Sequence, residues 1–327
     1  MKRFWSLLLA GSLVLFLLAG CGTTSPSSKA DDSQTQKETL SVYASFYPMY
    51  DFAAKIGGDK VSVVNMVPAG SEPHDWEPTA ADITGLEKAA VFIYNGAGME
   101  HWAEDVLESL QNKDLVVVEA SKGLTLREGH HHEHEGEEEA HADAAADEHS
   151  DEEEKYDPHV WLSPLNAKAE MENIKNAFVQ ADPDNKDYYE ANYAKYAADL
   201  DVLDKEFKDT LTPLPNKDII VAHQAFGYLC AAYGLNQVGI EGLSPDSEPD
   251  PARVAEIIEF AKEHKVRVIF FEELVSPKVA ETIAKAIDAR TDVLSPIEGL
   301  SDEQRAAGGD YFSVMRQNLE NLKTALQ

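Results

Sequence analysis

From residue 40 onward the chain alternates short apolar runs with amphipathic stretches. Residues 40–44 predict a strand, 50–56 a helix and 61–67 a second strand, with Gly57, Gly58 and Asp59 as the turn before it. Helix, buried strand, helix and strand are predicted at 80–89, 90–96, 100–111 and 115–119. Such runs, spaced by amphipathic helices, point to a parallel sheet wrapped by helices. From residue 166 the period changes and helix signals dominate to about 210, broken at 182–185 by Pro183. Residues 187–210 carry charge on one side and Tyr, Ala and Leu on the other, which predicts one continuous spacer helix. Alternation then resumes, with strands at 218–222, 237–240, 266–271 and 291–294 and helices at 226–233, 251–262, 277–289 and 310–326. The predicted fold class is α/β: two lobes, each with a mainly parallel sheet wrapped by helices, joined by a long rigid spacer helix. The expected boundaries are a lobe at 40–185, a connecting helix at 186–212 and a second lobe at 213–327.

The first residues change the picture. Lys2 and Arg3 precede the apolar run FWSLLLAGSLVLFLLAG, and Cys21 follows. A basic start, an apolar stretch and small residues before a cleavage point predict a secretory signal at 1–20, too short and too abruptly ended for a good membrane span. The site LAGC resembles the lipobox of bacterial lipoproteins, which implies acylation of Cys21 and a chain tethered to the outer face of the membrane. Gly22 after it points to retention at the plasma membrane of a Gram-positive cell. Residues 21–39 are polar and read as a flexible tether. Cys230 is the other cysteine, so the mature chain has no internal disulfide available. Within FGYLCAAYG it reads as a small buried apolar residue.

The formal net charge is −31. The segment 127–157 concentrates it, with fourteen Asp and Glu against Arg127 and Lys155. No basic patch is offered for phosphate, which argues against nucleic acid and favours cations as ligands. The same segment holds most of the 11 histidines. His130, His131, His132, His134, His141 and His149 sit among Glu, Asp and Ala with no apolar periodicity, so this insertion is expected to be disordered and to sample metal weakly.

Three histidines stand apart: His74 in SEPHDWEPT, His159 in DPHVWLSP and His223 in VAHQAFGY. Each falls where a strand-like run gives way to a loop or a helix start, where ligands gather in open α/β sheets. Separations of 85 and 64 residues exclude a local finger-type site, so these side chains converge only through the fold. His101 and His264 read as surface or helix-end residues.

FYPMYDFAAKIGGDKV (46–61), GSEPHDWEPTAADI (70–83), DPHVWLSP (157–164), HQAFGYLCAAYGL (223–235) and GGDYFSVMRQNLENL (308–322) together resemble the metal-binding lipoproteins of ABC-type zinc and manganese importers. The resemblance covers nearly the whole mature chain. It implies His74, His159 and His223 as ligands, and the family interval from the third ligand implies Glu298 as the fourth. From the residues alone, Glu272 and Glu273 after VIFF remain rivals. Manganese receptors of this family resemble a two-histidine, two-carboxylate set, so a third imidazole at His223 implies zinc, with manganese as the alternative. Neither HExxH nor GxSxG occurs, and a fourth protein ligand closes the shell, which favours capture over catalysis. The implied partners are an ABC permease with its cytoplasmic ATPase and the membrane through lipidated Cys21, with the receptor itself a monomer. A surface adhesin of the same fold is the second alternative.

Overall fold

The structure, a computed structural model, describes residues 39–129, 155–245 and 249–327. The predicted signal segment, Cys21, the predicted tether up to residue 38 and the six histidines from His130 to His149 lie outside the described residues.

Two four-stranded parallel sheets form the frame. The first contains β1 (Leu40–Ala44), β2 (Val61–Asn65), β3 (Val91–Tyr94) and β4 (Val116–Glu119) in the order β2-β1-β3-β4. The second contains β5 (Asp218–Val221), β6 (Asn236–Gly239), β7 (Val268–Phe271) and β8 (Arg290–Val293) in the equivalent order β6-β5-β7-β8. Register is set by apolar pairs such as Val42 with Val63 and Val91, which place successive crossover helices on both faces.

The helices are α1 (Tyr47–Gly57), α2 (Ala80–Leu86), α3 (Ala103–Ser109), α4 (Pro164–Ala181), α5 (Lys186–Leu211), α6 (Gly227–Tyr233), α7 (Pro251–Glu263), α8 (Lys278–Ala286), α9 (Asp302–Ala306) and α10 (Tyr311–Leu326). Several starts are written in the sequence. Thr79 with Asp82, and Asp310 with Ser313, form reciprocal caps, and Asp250 accepts from two backbone N–H groups of α7. The predicted spacer is α5, 26 residues long, or about 39 Å at 1.5 Å per residue. It packs against α1, α4, α6 and α10. Predicted elements exceed the observed ones mainly at their ends, because apolar side chains continue into the loops that carry the site. Helix α9 has too short an apolar pattern to be read from periodicity.

A single hydrophobic core runs through both lobes, from Phe46 and Phe52 through Trp161 and Phe207 to Phe226 and Tyr311. Smaller clusters back the outer faces of the sheets, around Phe92 and Trp102 in the first and Ile220 and Ile269 in the second. A shared core resists hinge motion, because opening it would expose close-packed apolar surface. No helix among the described residues is long and apolar enough to cross a membrane.

Candidate metal centre

Four side chains meet between the sheets. His74, His159, His223 and Glu298 each offer one ligand atom, and these atoms all lie within 4.8 Å of one another. His74 lies in the loop after β2, and His159 on the segment that follows β4 and leads into α4; His223 comes two residues after β5 and Glu298 five after β8. All four therefore come from beyond the carboxyl ends of strands, where a parallel sheet delivers its ligands.

The spacing suits a small cation. Glu298 Oε1 lies 3.3 Å from His74 Nε2, 3.0 Å from His159 Nε2 and 3.4 Å from His223 Nε2. The Nε2 atoms of His159 and His223 are 3.1 Å apart. Donors at tetrahedral corners about 2.1 Å from a zinc ion are about 3.4 Å from each other, so these separations match the edges of such a shell. His159, His223 and Glu298 are buried, while the His74 side chain keeps 10% exposure and forms the outer wall.

Carboxylates behind the histidines fix two of the rings. Asp157 Oδ1 accepts from His159 Nδ1 at 2.9 Å and from the His159 backbone N–H at 3.0 Å. Glu272 Oε1 accepts from His223 Nδ1 at 2.8 Å. A proton held on Nδ1 leaves the Nε2 lone pair free for a metal, and orients it. Asp157 is itself held: Tyr228 donates to its backbone carbonyl at 2.9 Å and accepts from the Arg127 backbone N–H at 2.9 Å. A Cβ at Gly227 would collide with the Asp157 carboxylate, so only glycine lets α6 approach this closely. Asn95 Nδ2 donates to the Pro158 carbonyl at 2.9 Å, and the Asn95 and Gly96 backbone N–H groups donate to the buried Glu100 carboxylate, whose pKa burial pushes up to about 7.

The electrostatics of the cluster follow from burial and pairing. Burial works to raise the Glu298 carboxyl, but His223 and hydrogen bonds from the three rings hold it well below the usual range. Burial works to lower His223, yet Glu272 and Glu298 outweigh it and raise this ring well above its ordinary value. His159 is raised in the same way, with burial opposed by Asp157 and Glu298. His74 is lowered, mainly by burial. Glu72 is pushed up to about 9, by burial first and then by the Glu298 charge, which keeps it as the neutral acid. The centre is thus one ionised carboxylate facing three imidazoles, and metal competes with protons for their nitrogens.

Glu298 reaches the cluster through an unusual backbone. Ile297 has φ 62 and is fully buried, a left-handed conformation that β-branched residues avoid at a cost of about 1–3 kcal/mol. The surrounding bonds hold it there: Trp161 Nε1 donates to the Pro296 carbonyl at 2.7 Å, and Asn318 bonds Ser295 at 2.9 and 2.7 Å.

A family model described as zinc-uptake complex component A, periplasmic (ZnuA), matches residues 42–325. The chain belongs to the ZnuA family. It is 46% identical over 328 residues to the high-affinity zinc uptake system protein ZnuA of Bacillus subtilis, covering 100% of this chain and 99% of that one. It is 38% identical over 337 residues to the zinc-binding lipoprotein AdcA of Streptococcus pneumoniae, covering 99% of this chain but 61% of that longer protein. Among solved structures, the Zn(II)-bound ZnuA-like domain of Streptococcus pneumoniae AdcA superposes with a TM-score of 0.73 at 36% identity, covering 88% of this chain and 99% of that one.

In this ZnuA-family chain the other sequence candidates fall elsewhere. Glu272, read as a rival ligand, sits on the far side of His223 at Nδ1. Glu273 accepts from Gln304 Nε2 at 2.8 Å, and His264 pairs with Asp218 at 2.7 Å and stacks on Phe260. Sequence reading missed Asp157 and Glu72 as supports, although the signal is visible as an acid-Pro-His triplet at both 72–74 and 157–159. Glu72 Oε1 accepts the His74 backbone N–H at 3.3 Å, the counterpart of the Asp157 contact. Glu272→Ala is expected to weaken zinc by about 10–100-fold through a misoriented His223, with Glu272→Gln recovering part of the loss. Chelator competition on folded protein reads the result, and unchanged affinity in Glu272→Ala would exclude the role.

Proposed function

We propose that this chain is an extracytoplasmic receptor that captures Zn²⁺ at His74, His159, His223 and Glu298 and delivers it to the permease of an ABC importer driven by a cytoplasmic ATPase. The observation that carries the reading is a set of four separations of 3.0–3.4 Å that links three Nε2 atoms and one carboxylate oxygen, with two rings pinned from behind by carboxylates. Three nitrogens and one oxygen in a four-cornered arrangement suit zinc, whereas manganese favours more oxygen donors. The zinc named in the relatives agrees with this donor set. A shell closed by protein on all four corners leaves no position for a reacting water, so the chemistry is capture rather than hydrolysis.

Delivery requires that the shell open. The core shared by the lobes and the 26-residue α5 favour small local shifts over hinge closure, and His74, the exposed corner, is the first to loosen. Tethering through an acylated Cys21 keeps the receptor near its permease. The six clustered histidines act as a weak collector, because they lie among Glu and Asp that attract cations to them.

The test is zinc content and competitive affinity against Mn²⁺, measured with and without residues 128–154. One tight zinc in both forms, with extra weak zinc only in the full chain, is the expected result. Loss of tight zinc on deletion would refute the division of labour, and tight manganese with weak zinc would overturn the choice of metal.

A further inference from the structure

Two cavities among the described residues are each lined by a member of the metal centre. One, of about 300 Å³, is lined by Glu298 together with Tyr47, Tyr50, Val67 and Arg305. The other, of about 360 Å³, is lined by His74 together with Asp75, Glu77, His101, Met99 and Tyr156. Their charges differ: the first sets the Arg305 guanidinium against Glu298, while the second adds two carboxylates and a second imidazole with no Lys or Arg. A divalent cation is drawn more strongly to the second, where no guanidinium offsets the carboxylates. The second also opens on His74, the ligand with the greatest exposure.

His101 stands just before α3, on the wall of this second cavity. It precedes α3 without capping it, since the cap position is Trp102 and no side chain caps that helix. Its Nε2 lies 3.9 Å from Glu77 Oε1, with side-chain exposures of 31% and 77%. Tetrahedral donors each about 2.1 Å from one ion stand about 3.4 Å apart, so these two exposed side chains close onto an ion by a shift of about 0.5 Å. It supplies one nitrogen and one oxygen, leaving the remaining positions to water, which makes a site that holds weakly and exchanges fast.

We propose that His101 and Glu77, with Asp75 beside them, form an outer cation site through which Zn²⁺ passes on its way to and from His74. The inference rests on zinc being the cargo of the inner centre. A site on the path lowers the barrier in both directions, so it changes rates and leaves the end-state affinity alone.

The experiment measures zinc association and dissociation by stopped flow and affinity by chelator competition, on the full chain and on His101→Ala and Glu77→Gln. Zn²⁺ alone is the probe. His264→Ala, which removes an exposed histidine paired with Asp218 far from this cavity, serves as the control. The expected result is association slowed about tenfold in His101→Ala, less in Glu77→Gln, with dissociation slowed by the same factor and the control unchanged. Association at the original rate in both variants would overturn the proposal. So would weaker affinity from faster dissociation alone, which would make His101 a ligand of the inner centre. Absence of tight zinc in the unaltered chain would instead bring down the functional reading, and this inference with it.

Discussion

His223→Ala is expected to lower zinc affinity about a thousandfold while the protein stays folded. The ring is fully buried and stands between Glu272 and Glu298, so alanine removes one of four donors and leaves two carboxylates facing each other without their shared partner. Breaking a buried charged pair costs about 3–5 kcal/mol, and about 1.4 kcal/mol is tenfold in affinity. The loss falls on binding because His223 sits in a loop just past β5, beyond the strand pairings that build the sheet. Competition against a chelator of known affinity reads the change, and circular dichroism confirms the fold. A midpoint within a few-fold of the unaltered protein would remove His223 from the centre. His223→Asp adds a second reading of the same position: trading nitrogen for oxygen is expected to narrow the preference for zinc over manganese.

The largest expected effect on stability comes from Trp161. Its ring is fully buried, meets Phe46 edge-on at 4.9 Å and donates to the Pro296 carbonyl, while its own carbonyl accepts the Tyr311 hydroxyl at 2.6 Å. Trp161→Ala is expected to cost about 3–5 kcal/mol, the range for truncating a large core side chain. Trp161→Phe keeps most of the packing but strands the Pro296 carbonyl, for about 1–3 kcal/mol. Denaturant unfolding with a metal chelator present separates this from the stabilisation that bound zinc adds. The same substitution is expected to weaken zinc, because Trp161 lies two residues after His159 and bonds a residue two before Glu298. A loss under about 1 kcal/mol in Trp161→Ala would show that this bridge is dispensable.

The two predictions draw on different parts of what the chain makes legible. Alternating runs gave both parallel sheets and α5, because burial on both faces of a strand and on one stripe of a helix is a local property of sequence. The caps that the structure shows at Thr79, Asp250 and Asp310 rest on equally local contacts. His74, His159 and His223 were marked out by lying at strand ends, and the motifs around them carried the family resemblance.

Convergence was not legible in that way. Residues 74, 159, 223 and 298 meet only because two sheets of the same strand order face each other across one core, a relation between parts that no local window contains. The choice among acids was also tertiary. Glu272 follows β7 directly and turns to the back of His223, Glu273 turns away to Gln304, and Glu298 points inward because Ile297 is held left-handed in a buried loop. A β-branched residue gives no sequence sign of such a turn; packing around Trp161 and Asn318 imposes it. Composition and periodicity thus determined the lobes, the long helix and the candidate imidazoles, while the side each carboxylate faces was decided by long-range packing, which can override local backbone preference when the surrounding bonds outweigh the strain.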